Sequence, residues 1–403
     1  MQLSRQISGI HASGPDGWDA FRRARAMARA GEPVIELTIG EHDIRTDPQI
    51  LDAMHRAALA GATGYPAIPG ILPLREAVAA RVSERTGVPT GVENVLIVPG
   101  GQAGLFAAHH AVCDPGDKAL ICDPYYATYP GTVRAVGGRP VAVPCRPGNG
   151  FRPDPADILA RASGARSLLI NSPNNPTGVI YDRATLDGIA GAVREADLWL
   201  ISDEVYDTQV WEGRHLSPRA LPDMAERTIV IGSMSKSHAM TGSRIGWVVA
   251  PEPVIAAMDA LATNTTYGVA GFVQVAALFA LSLGAGFEAE IAEPFRRRRA
   301  LARALLEAQN VVRLIPSGGA MYLMLDIRAT GLDGNAFADA LLEAEKIGVM
   351  PGESFGQAAA GHIRVALTVA DDRFTDALSR LLAFAARLAA APEARTARLK
   401  RVE

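Results

Sequence analysis

Short apolar runs alternate with longer stretches of helical periodicity between about residue 95 and residue 285. The runs place β-branched or apolar residues at consecutive positions, which is typical of strands that are buried on both faces. Helical stretches separate most of the runs, and this alternation predicts crossover connections and a mostly parallel sheet. The predicted strands are Val95–Val98, Ala119–Cys122, Pro140–Val143, Ser167–Ile170, Trp199–Ser202, Thr228–Ile231 and Gly246–Val249.

Polar and glycine-rich segments follow these strands, among them PGG, DPYY, NSPNNPTG, SDEVY and GSMSKS. In open α/β sheets, ligands bind in loops at the carboxyl ends of the strands. We therefore predict an α/β protein whose large domain has three layers, α-β-α, around a mostly parallel seven-stranded sheet. Its ligand site is expected at the carboxyl edge of that sheet.

The pattern changes after residue 285. A long helix to about residue 308 is followed by short strands near 311–315 and 320–326, a helix over about 334–346, a strand near 362–367 and a final helix from about 371. These elements predict a smaller α+β domain that the N-terminal residues also join. We divide the chain into residues 1–45 (small domain), 46–285 (large domain) and 286–403 (small domain), with a frayed tail over the last dozen residues.

Composition excludes several classes of function. The net charge of −3 and the absence of a basic stripe argue against nucleic acid or an anionic membrane as a partner. No apolar run reaches the length of a membrane span, and the start of the chain does not resemble a signal peptide. The histidines form no metal-ligand pattern, and the three cysteines read as buried apolar residues in a reducing cytoplasm. The basic run Arg296 to Arg299 is expected on a solvated helix face.

Lysine usage narrows the search for a reactive amine. Lysine and arginine total 40, but the only lysines are Lys118, Lys236, Lys346 and Lys400. Arginine cannot supply a deprotonated amine, so covalent amine chemistry would have to use one of these four. Lys236 alone lies among small polar residues, in SMSKSHAMTGSR.

The segment around Lys236 has the character of a phosphate site. Ser233, Ser235 and the backbone offer hydrogen-bond donors, and Arg244 offers a guanidinium fork for two phosphate oxygens. A lysine within such a turn can form a Schiff base with an aldehyde that the phosphate ligand carries. The alternative is a capped, buried turn with Lys236 as a surface lysine.

Two further segments offer groups for a cofactor ring. Asp203 ends an apolar run, where its carboxylate could keep a pyridine nitrogen protonated, and Tyr206 could donate to a phenolate oxygen. Asn175 lies in the rigid Asn/Pro loop and offers an amide donor. For each segment the alternative is a structural strand end or turn.

Two more strand ends complete the candidate site. Gly100, Gly101 and Gln102 open a helix after the first strand, where backbone N–H groups can contact phosphate. Tyr126 follows the next strand and could stack on a flat cofactor ring. Taken singly, both signals are weak.

In their order and spacing these motifs resemble the class I/II aminotransferases, which are fold type I pyridoxal-phosphate enzymes similar to aspartate aminotransferase. The resemblance spans nearly the whole chain, through TIGEHD, TGYPAIPGILPLREAV, PGGQAGL, PGD, DPYYATY, NSPNNPTG, SDEVY, SKSHAMTGSRIGW and HIRVAL. So many motifs in the same order make a chance match negligible.

The resemblance implies a role for each matching residue. It makes Lys236 the Schiff-base lysine, Asp203 the partner of the pyridine nitrogen, and Tyr206 and Asn175 the donors to the phenolic oxygen. It assigns ring stacking to Tyr126 and phosphate contacts to Gly101, Gln102, Ser233, Ser235 and Arg244. It assigns the substrate α-carboxylate to Arg364, with Gly40 beside it, and gives Tyr65 a contact with the phosphate of a second subunit. It therefore implies pyridoxal 5′-phosphate as cofactor, ping-pong transfer between an amino acid and a 2-oxo acid, and a homodimer with shared sites.

The sequence departs from the family pattern near the site. His42 and Ile44 stand in GEHDI where GEPDF is frequent, His238 replaces a frequent phenylalanine, and Ser243 a frequent tryptophan. The substrate is therefore left open. A C–S lyase, decarboxylase or synthase on the same fold is the alternative reaction. A cofactor-sensing regulator would need a DNA-binding segment, and a dehydrogenase would need a GxGxxG fingerprint.

Overall fold

The computed structural model describes residues 1–11 and 17–390. The predicted frayed tail therefore lies outside the described residues. The helices are α1 (Arg5–Ser8), α2 (Asp19–Arg29), α3 (Pro48–Leu59), α4 (Leu72–Thr86), α5 (Gly101–Val112), α6 (Tyr129–Ala135), α7 (Pro155–Ala162), α8 (Arg183–Glu195), α9 (Met234–Ser237), α10 (Glu252–Thr263), α11 (Gly271–Ser282), α12 (Gly284–Glu307), α13 (Gly334–Glu345) and α14 (Asp371–Ala390).

The strands fall into three sheets. They are β1 (Ile35–Glu36), β2 (Val95–Val98), β3 (Lys118–Asp123), β4 (Arg139–Pro144), β5 (Ala165–Asn171), β6 (Trp199–Asp203), β7 (Thr228–Ser233), β8 (Gly246–Val249), β9 (Arg313–Leu314), β10 (Tyr322–Asp326), β11 (Ile347–Gly348), β12 (Met350–Pro351) and β13 (His362–Ala366).

The largest sheet has seven strands in the order β2-β8-β7-β6-β5-β3-β4. Strand β8 runs antiparallel to β2 and β7, and the other neighbours are parallel. All seven predicted strands are present, each within two residues of its predicted bounds. The prediction of a mostly parallel sheet is therefore confirmed.

Helices begin and end where local chemistry favours it. Asp154 and Asp182 cap α7 and α8 by accepting from backbone N–H groups in the first turn, and Gly87 ends α4 at φ 71°. Apolar faces from α5 and α10 pack on one side of the sheet and those from α7 and α8 on the other. The sheet is thus the middle of three layers, and the helices cover its two faces. The loops at the strand ends are not covered by these helices.

The chain after α11 forms the predicted second set of elements. Strands β12, β13, β10 and β9 make an antiparallel sheet, and β1 pairs in parallel with β11. Strand β1 of the N-terminal segment thus contacts this region. The domain limits at residues 45 and 285 remain a prediction.

The basic run on α12 differs from its prediction. Arg298 and Arg299 are 4% and 8% exposed and pair with carboxylates, whereas a solvated face was expected. Consecutive helix positions point in different directions, so a run of four arginines cannot occupy one face. Only Arg296 and Arg297 remain on the outside.

Over the described residues no single helix is both long and apolar enough to cross a membrane. Helices α11 and α12 meet that length and composition only when taken together, and they are bent by 93° at their junction.

Candidate active site

A cavity of about 280 Å³ lies at the carboxyl edge of the seven-stranded sheet. The structure brings most of the predicted site residues to its wall, namely Gly40, Gly101, Gln102, Tyr126, Asn175, Asp203, Tyr206, Ser233, Ser235, Lys236, Arg244 and Arg364. A second cavity of about 1060 Å³ shares Trp18, Gln102 and Arg244 with it. Lys236 and Asp203 line only the smaller cavity, so the reactive groups lie there.

Lys236 lies on the short helix α9, directly after β7. Its Nζ donates a hydrogen bond to the backbone carbonyl of Gly40. Burial lowers the pKa of Lys236 to about 8; the charge of Glu41 raises this pKa, while the charges of Arg364 and Arg244 lower it further. The amine faces the cavity, so the alternative of a surface lysine is wrong.

Hydroxyl and guanidinium donors gather next to Lys236. Ser233 caps α9 by accepting from the Ser235 N–H at 3.1 Å, and its hydroxyl donates to Ser235 Oγ at 3.0 Å. Arg244 has a left-handed backbone (φ 49°), and its Nη1 donates to the Thr241 carbonyl at 2.8 Å. The two hydroxyls and the guanidinium thus meet near the N-terminus of α5, which favours an anion.

Gly100 is required by the approach of Arg244 to the start of α5. Its φ of +83° disfavours other residues, and a Cβ atom there would lie 2.4 Å from Arg244 Nη2. Gly100 itself does not line the cavity. The glycine allows the guanidinium to lie against the backbone of the turn, which fits a site for a phosphate group.

Asp203 is buried at the end of β6, and its partner is a residue that the sequence did not single out. The hydroxyl of Tyr129 donates to Asp203 Oδ2 at 2.6 Å, and the Val205 N–H donates to Oδ1 at 3.2 Å. Burial nevertheless raises the pKa of Asp203 to about 6, because two donors offset only part of the desolvation. A cationic partner, such as a protonated ring nitrogen, would complete this site.

Tyr206 has a second tyrosine as its neighbour. Its hydroxyl and that of Tyr322 lie 3.0 Å apart. Tyr322 comes from β10, and the sequence did not single it out either. Burial raises the pKa of Tyr206, so this phenol is a neutral donor at physiological pH.

Arg364 lies on β13 and is 1% exposed. Its Nη1 donates to Asn175 Oδ1 at 2.8 Å, and its Nη2 donates to the Thr38 carbonyl. The guanidinium carbon lies 4.4 Å from the ring centre of Tyr322 and 4.5 Å from that of Phe355. A buried cation without a carboxylate partner among these contacts is suited to an anionic ligand.

Residues 38–43 form a loop that several site residues contact. Besides the bonds to Thr38 and Gly40, Arg298 holds Asp43 with two hydrogen bonds of 2.9 and 2.7 Å. A Cβ atom on Gly40 would lie 1.7 Å from Tyr322 Oη. Close packing therefore requires glycine at position 40.

Two of the departures from the family pattern are buried histidines outside the cavity wall. The His42 ring lies edge-on to Phe295 at 5.1 Å, and burial, with a contribution from the charge of Lys236, lowers its pKa to about 3. His238 hydrogen-bonds with Ser237 Oγ at 2.7 Å, and burial lowers its pKa to about 4. Both imidazoles are therefore neutral at physiological pH.

Tyr65 does not reach the cavity of its own chain. It is 88% exposed and lies edge-on to Tyr267 with ring centres 5.0 Å apart. The predicted contact with a second subunit requires such an exposed ring but is not tested by one chain.

The described residues, 1–11 and 17–390, contain no cluster of three or more histidine, cysteine or acidic side chains suited to a metal. The three cysteines are free and buried, as expected.

A mostly parallel seven-stranded sheet, with a half-buried lysine and a buried carboxylate and arginine in the cavity at its carboxyl edge, defines a fold type I enzyme. The family model of aminotransferase class I and II matches residues 32–381. The chain belongs to this family and is a transaminase, as the motifs predicted.

Known proteins resemble the chain over nearly its whole length. An arginine–pyruvate transaminase of Pseudomonas aeruginosa is 39% identical, over 96% of this chain and 99% of that protein. An aspartate/prephenate aminotransferase of Thermus thermophilus is 35% identical, over 94% and 97%. The solved aspartate aminotransferase of Thermotoga maritima superposes with a TM-score of 0.89 at 31% identity, over 95% of this chain and 99% of that one. The reaction class is thus shared among relatives whose named substrates differ.

Proposed function

We propose that this chain binds pyridoxal 5′-phosphate on Lys236 and moves amino groups between an L-amino acid and a 2-oxo acid. One observation carries the proposal. The half-buried amine of Lys236 lies in one small cavity with a buried carboxylate, Asp203, and a buried guanidinium, Arg364. The amine suits covalent attachment of the cofactor, the carboxylate suits its ring nitrogen, and the guanidinium suits a substrate carboxylate.

The described residues fit the cofactor. Ser233, Ser235, Arg244 and the N-terminus of α5 would hold its phosphate, and Gly100 leaves room for the arginine. Tyr126 would stack on the ring, while Tyr206 and the amide of Asn175 would donate to its phenolic oxygen. When bound, the cofactor supplies an electron sink for the charge left by the departing α-proton.

Asp203 and Tyr129 act together on the ring nitrogen. The ionised carboxylate would keep a proton on that nitrogen, and the Tyr129 hydroxyl favours the ionised form of the carboxylate by donating to it. Burial destabilises the ionised form of Asp203 and raises its pKa to about 6. A cationic partner would therefore stabilise this carboxylate.

Lys236 would serve as the proton carrier. A pKa of about 8 leaves an appreciable neutral fraction of the amine near neutral pH. The neutral Nζ could accept the proton that leaves the substrate α-carbon and then deliver it to a carbon atom of the bound cofactor. The hydrogen bond to the Gly40 carbonyl shows that the free amine reaches the loop of residues 38–43.

Arg364 would hold the α-carboxylate. Its side chain is buried between two rings and is fixed by Asn175 and Thr38, so little side-chain entropy remains to be lost on binding. A bidentate contact with a carboxylate also fixes orientation.

The assembly and location are parts of the same proposal. An exposed Tyr65 supports a homodimer in which this tyrosine reaches the phosphate of the other site. We also propose the cytoplasm as the location, in line with three free cysteines.

The substrates to test first are those that the relatives' names give, arginine with pyruvate and aspartate with prephenate. Adding each amino acid alone to the cofactor-loaded protein should convert the cofactor to its amine form in one half-reaction. Double-reciprocal plots of the steady-state rate against one substrate, at several fixed concentrations of the other, should give parallel lines, as ping-pong kinetics requires. Consumption of the amino acid without the amine form would instead indicate a lyase or decarboxylase.

Lys236→Ala provides the decisive variant. It should remain folded but lose the visible absorbance of attached cofactor and all measurable turnover. Lys118→Ala is the matched control, because within residues 1–11 and 17–390 Lys118 Nζ donates to the Ser163 carbonyl and does not line the cavity. Full activity of Lys236→Ala would refute the proposal.

A further inference from the structure

Asp123, at the end of β3, joins the sheet to a turn more than 200 residues away. Its side chain is 5% exposed and lies outside the cavity wall. Its Oδ2 accepts from the Gln357 N–H at 3.0 Å and its Oδ1 from the Ala358 N–H at 3.2 Å. Nearby, the Tyr125 N–H donates to the Phe355 carbonyl at 2.8 Å.

The turn is shaped to hold this carboxylate. Gly356 has φ +113°, and a Cβ atom there would lie 2.1 Å from Asp123 Oδ1. Consecutive N–H groups that converge on one anion form a nest, and the glycine allows the anion to approach. The contact is therefore specific for an oxygen acceptor at position 123.

The same turn carries one wall of the arginine site. Phe355 is fully buried, and its ring centre lies 4.5 Å from the guanidinium carbon of Arg364. The Nε of Arg364 is buried without a hydrogen-bond partner among the described residues. The orientation of the guanidinium therefore depends on its two Nη bonds and on the flanking rings of Tyr322 and Phe355.

We propose that Asp123 is a positioning residue for Arg364, which it holds in register through the 355–358 turn and the ring of Phe355. The inference rests on the proposed function, in which Arg364 binds the substrate carboxylate. Asp123 touches neither substrate nor cofactor. Its effect is on how well the guanidinium is aimed before the substrate arrives.

A positioning role can be separated from a stabilising one. Burial raises the pKa of Asp123 to about 6, so the ionised carboxylate is disfavoured in the folded protein despite its two donors. Asp123→Asn removes the buried charge and leaves only one acceptor oxygen for two N–H groups. We therefore expect a looser turn with no loss of global stability.

The test uses the half-reaction of the cofactor-loaded protein with an amino acid, at pH 8. Asp123→Asn should raise the amino-acid concentration for half-maximal rate by about tenfold, the equivalent of one modest contact. The limiting rate should stay within about twofold. Hydroxylamine, which attacks the same cofactor but has no carboxylate, should react at an unchanged rate, and the urea midpoint should not fall.

Two variants serve as controls. Phe355→Leu should also raise the amino-acid concentration for half-maximal rate. In the variant that combines Asp123→Asn with Phe355→Leu, this concentration should be no higher than in the single variant with the larger effect. Asp154→Asn makes the same chemical change at the N-cap of α7, where Asp154 accepts from Ala156 N–H at 2.9 Å. It should change none of these quantities.

The outcomes separate this inference from the function on which it rests. An Asp123→Asn protein that binds amino acids normally, or one that loses stability and hydroxylamine reactivity as well, overturns the positioning role. Arg364→Lys provides the second comparison. If Arg364→Lys leaves the amino-acid concentration for half-maximal rate unchanged, Arg364 does not bind the substrate carboxylate and the proposed site is wrong. If Arg364→Lys weakens amino-acid binding while Asp123→Asn does not, only the positioning role of Asp123 is wrong.

Discussion

The hydrogen bond between Tyr129 and Asp203 allows a direct test of how a neighbouring residue sets the pKa of Asp203. Tyr129→Phe removes one oxygen, which donates to Asp203 Oδ2 at 2.6 Å in a fully buried setting. Only the Val205 N–H donor at 3.2 Å then remains on this carboxylate among the described residues. The ring of residue 129 stays, so packing changes little.

The size of the effect follows from the charge of the acceptor. A hydrogen bond to an ionised group contributes about 1.5–3 kcal/mol, and one pKa unit corresponds to about 1.4 kcal/mol. Because the hydroxyl stabilises the ionised form, its loss favours the acid. The pKa of Asp203 should therefore rise from about 6 by about one to two units.

The dissociation constant for pyridoxal phosphate, measured between pH 5.5 and 9, reports this change. The ratio of the constants for Tyr129→Phe and the parent protein cancels titrations that both share, including that of Lys236. This ratio should rise as the pH falls below about 8. Binding of a cofactor analogue with carbon in place of the ring nitrogen should show no such rise.

Tyr125→Phe is the matched control, since it removes a neighbouring hydroxyl that makes no hydrogen bond to Asp203 among the described residues. A ratio that stays flat across the range, or an equal rise for the carbon analogue, would show that Tyr129 does not tune Asp203.

Three further variants probe the surroundings of the site. Arg298→Met leaves Asp43 without its buried partner and should lower the free energy of unfolding by about 2–3 kcal/mol, measured in urea; a cost below about 0.5 kcal/mol would refute this. Gly40→Ala forces a Cβ against Tyr322 and should weaken amino-acid binding at least about tenfold in the half-reaction, with an unchanged circular dichroism spectrum. Asp203 has a raised pKa, so it stabilises the unbound fold below about pH 4 and this contribution is lost as the pH rises through about 6. Asp203→Asn should therefore raise the unfolding free energy of unbound protein at pH 7.5, by at most about 3 kcal/mol, and flatten its pH dependence between pH 4 and 6; a destabilised variant would contradict this sign.

Much of the fold was readable from the chain because its strands are apolar at consecutive positions and end in polar loops. The seven-stranded sheet and the elements after residue 285 lie where the pattern placed them. Many of the predicted residues of the cavity wall, such as Asn175, Asp203 and Lys236, were recognised because they lie in motifs that end or follow strands. Gly40 and Arg364 were assigned through the family resemblance alone. Lys236 stood out further through the scarcity of lysine.

The residues that were missed depend on tertiary geometry. Tyr129 is one of three tyrosines in DPYYATY, and the start of α6 decides which of them points at Asp203. Tyr322 lies in an apolar strand, and its place beside Arg364 follows from the pairing of β10 with β13. The burial of Arg298 depends on where α12 packs against the loop that carries Asp43. None of these three follows from local spacing.

The cavity wall is drawn from segments that lie far apart in the chain, since Gly40 contacts Lys236, and Arg364 contacts both Thr38 and Asn175. Contacts of such long sequence separation form late, because the loops they close cost entropy before the contacts offset it. A chain still emerging from the ribosome without residue 364 therefore lacks a complete site. The same-chain residues assigned to the cofactor all lie before residue 245, whereas turnover also needs Arg364. The appearance of transaminase activity is therefore the signal that the whole chain has folded, and it can be used to time the last step of refolding.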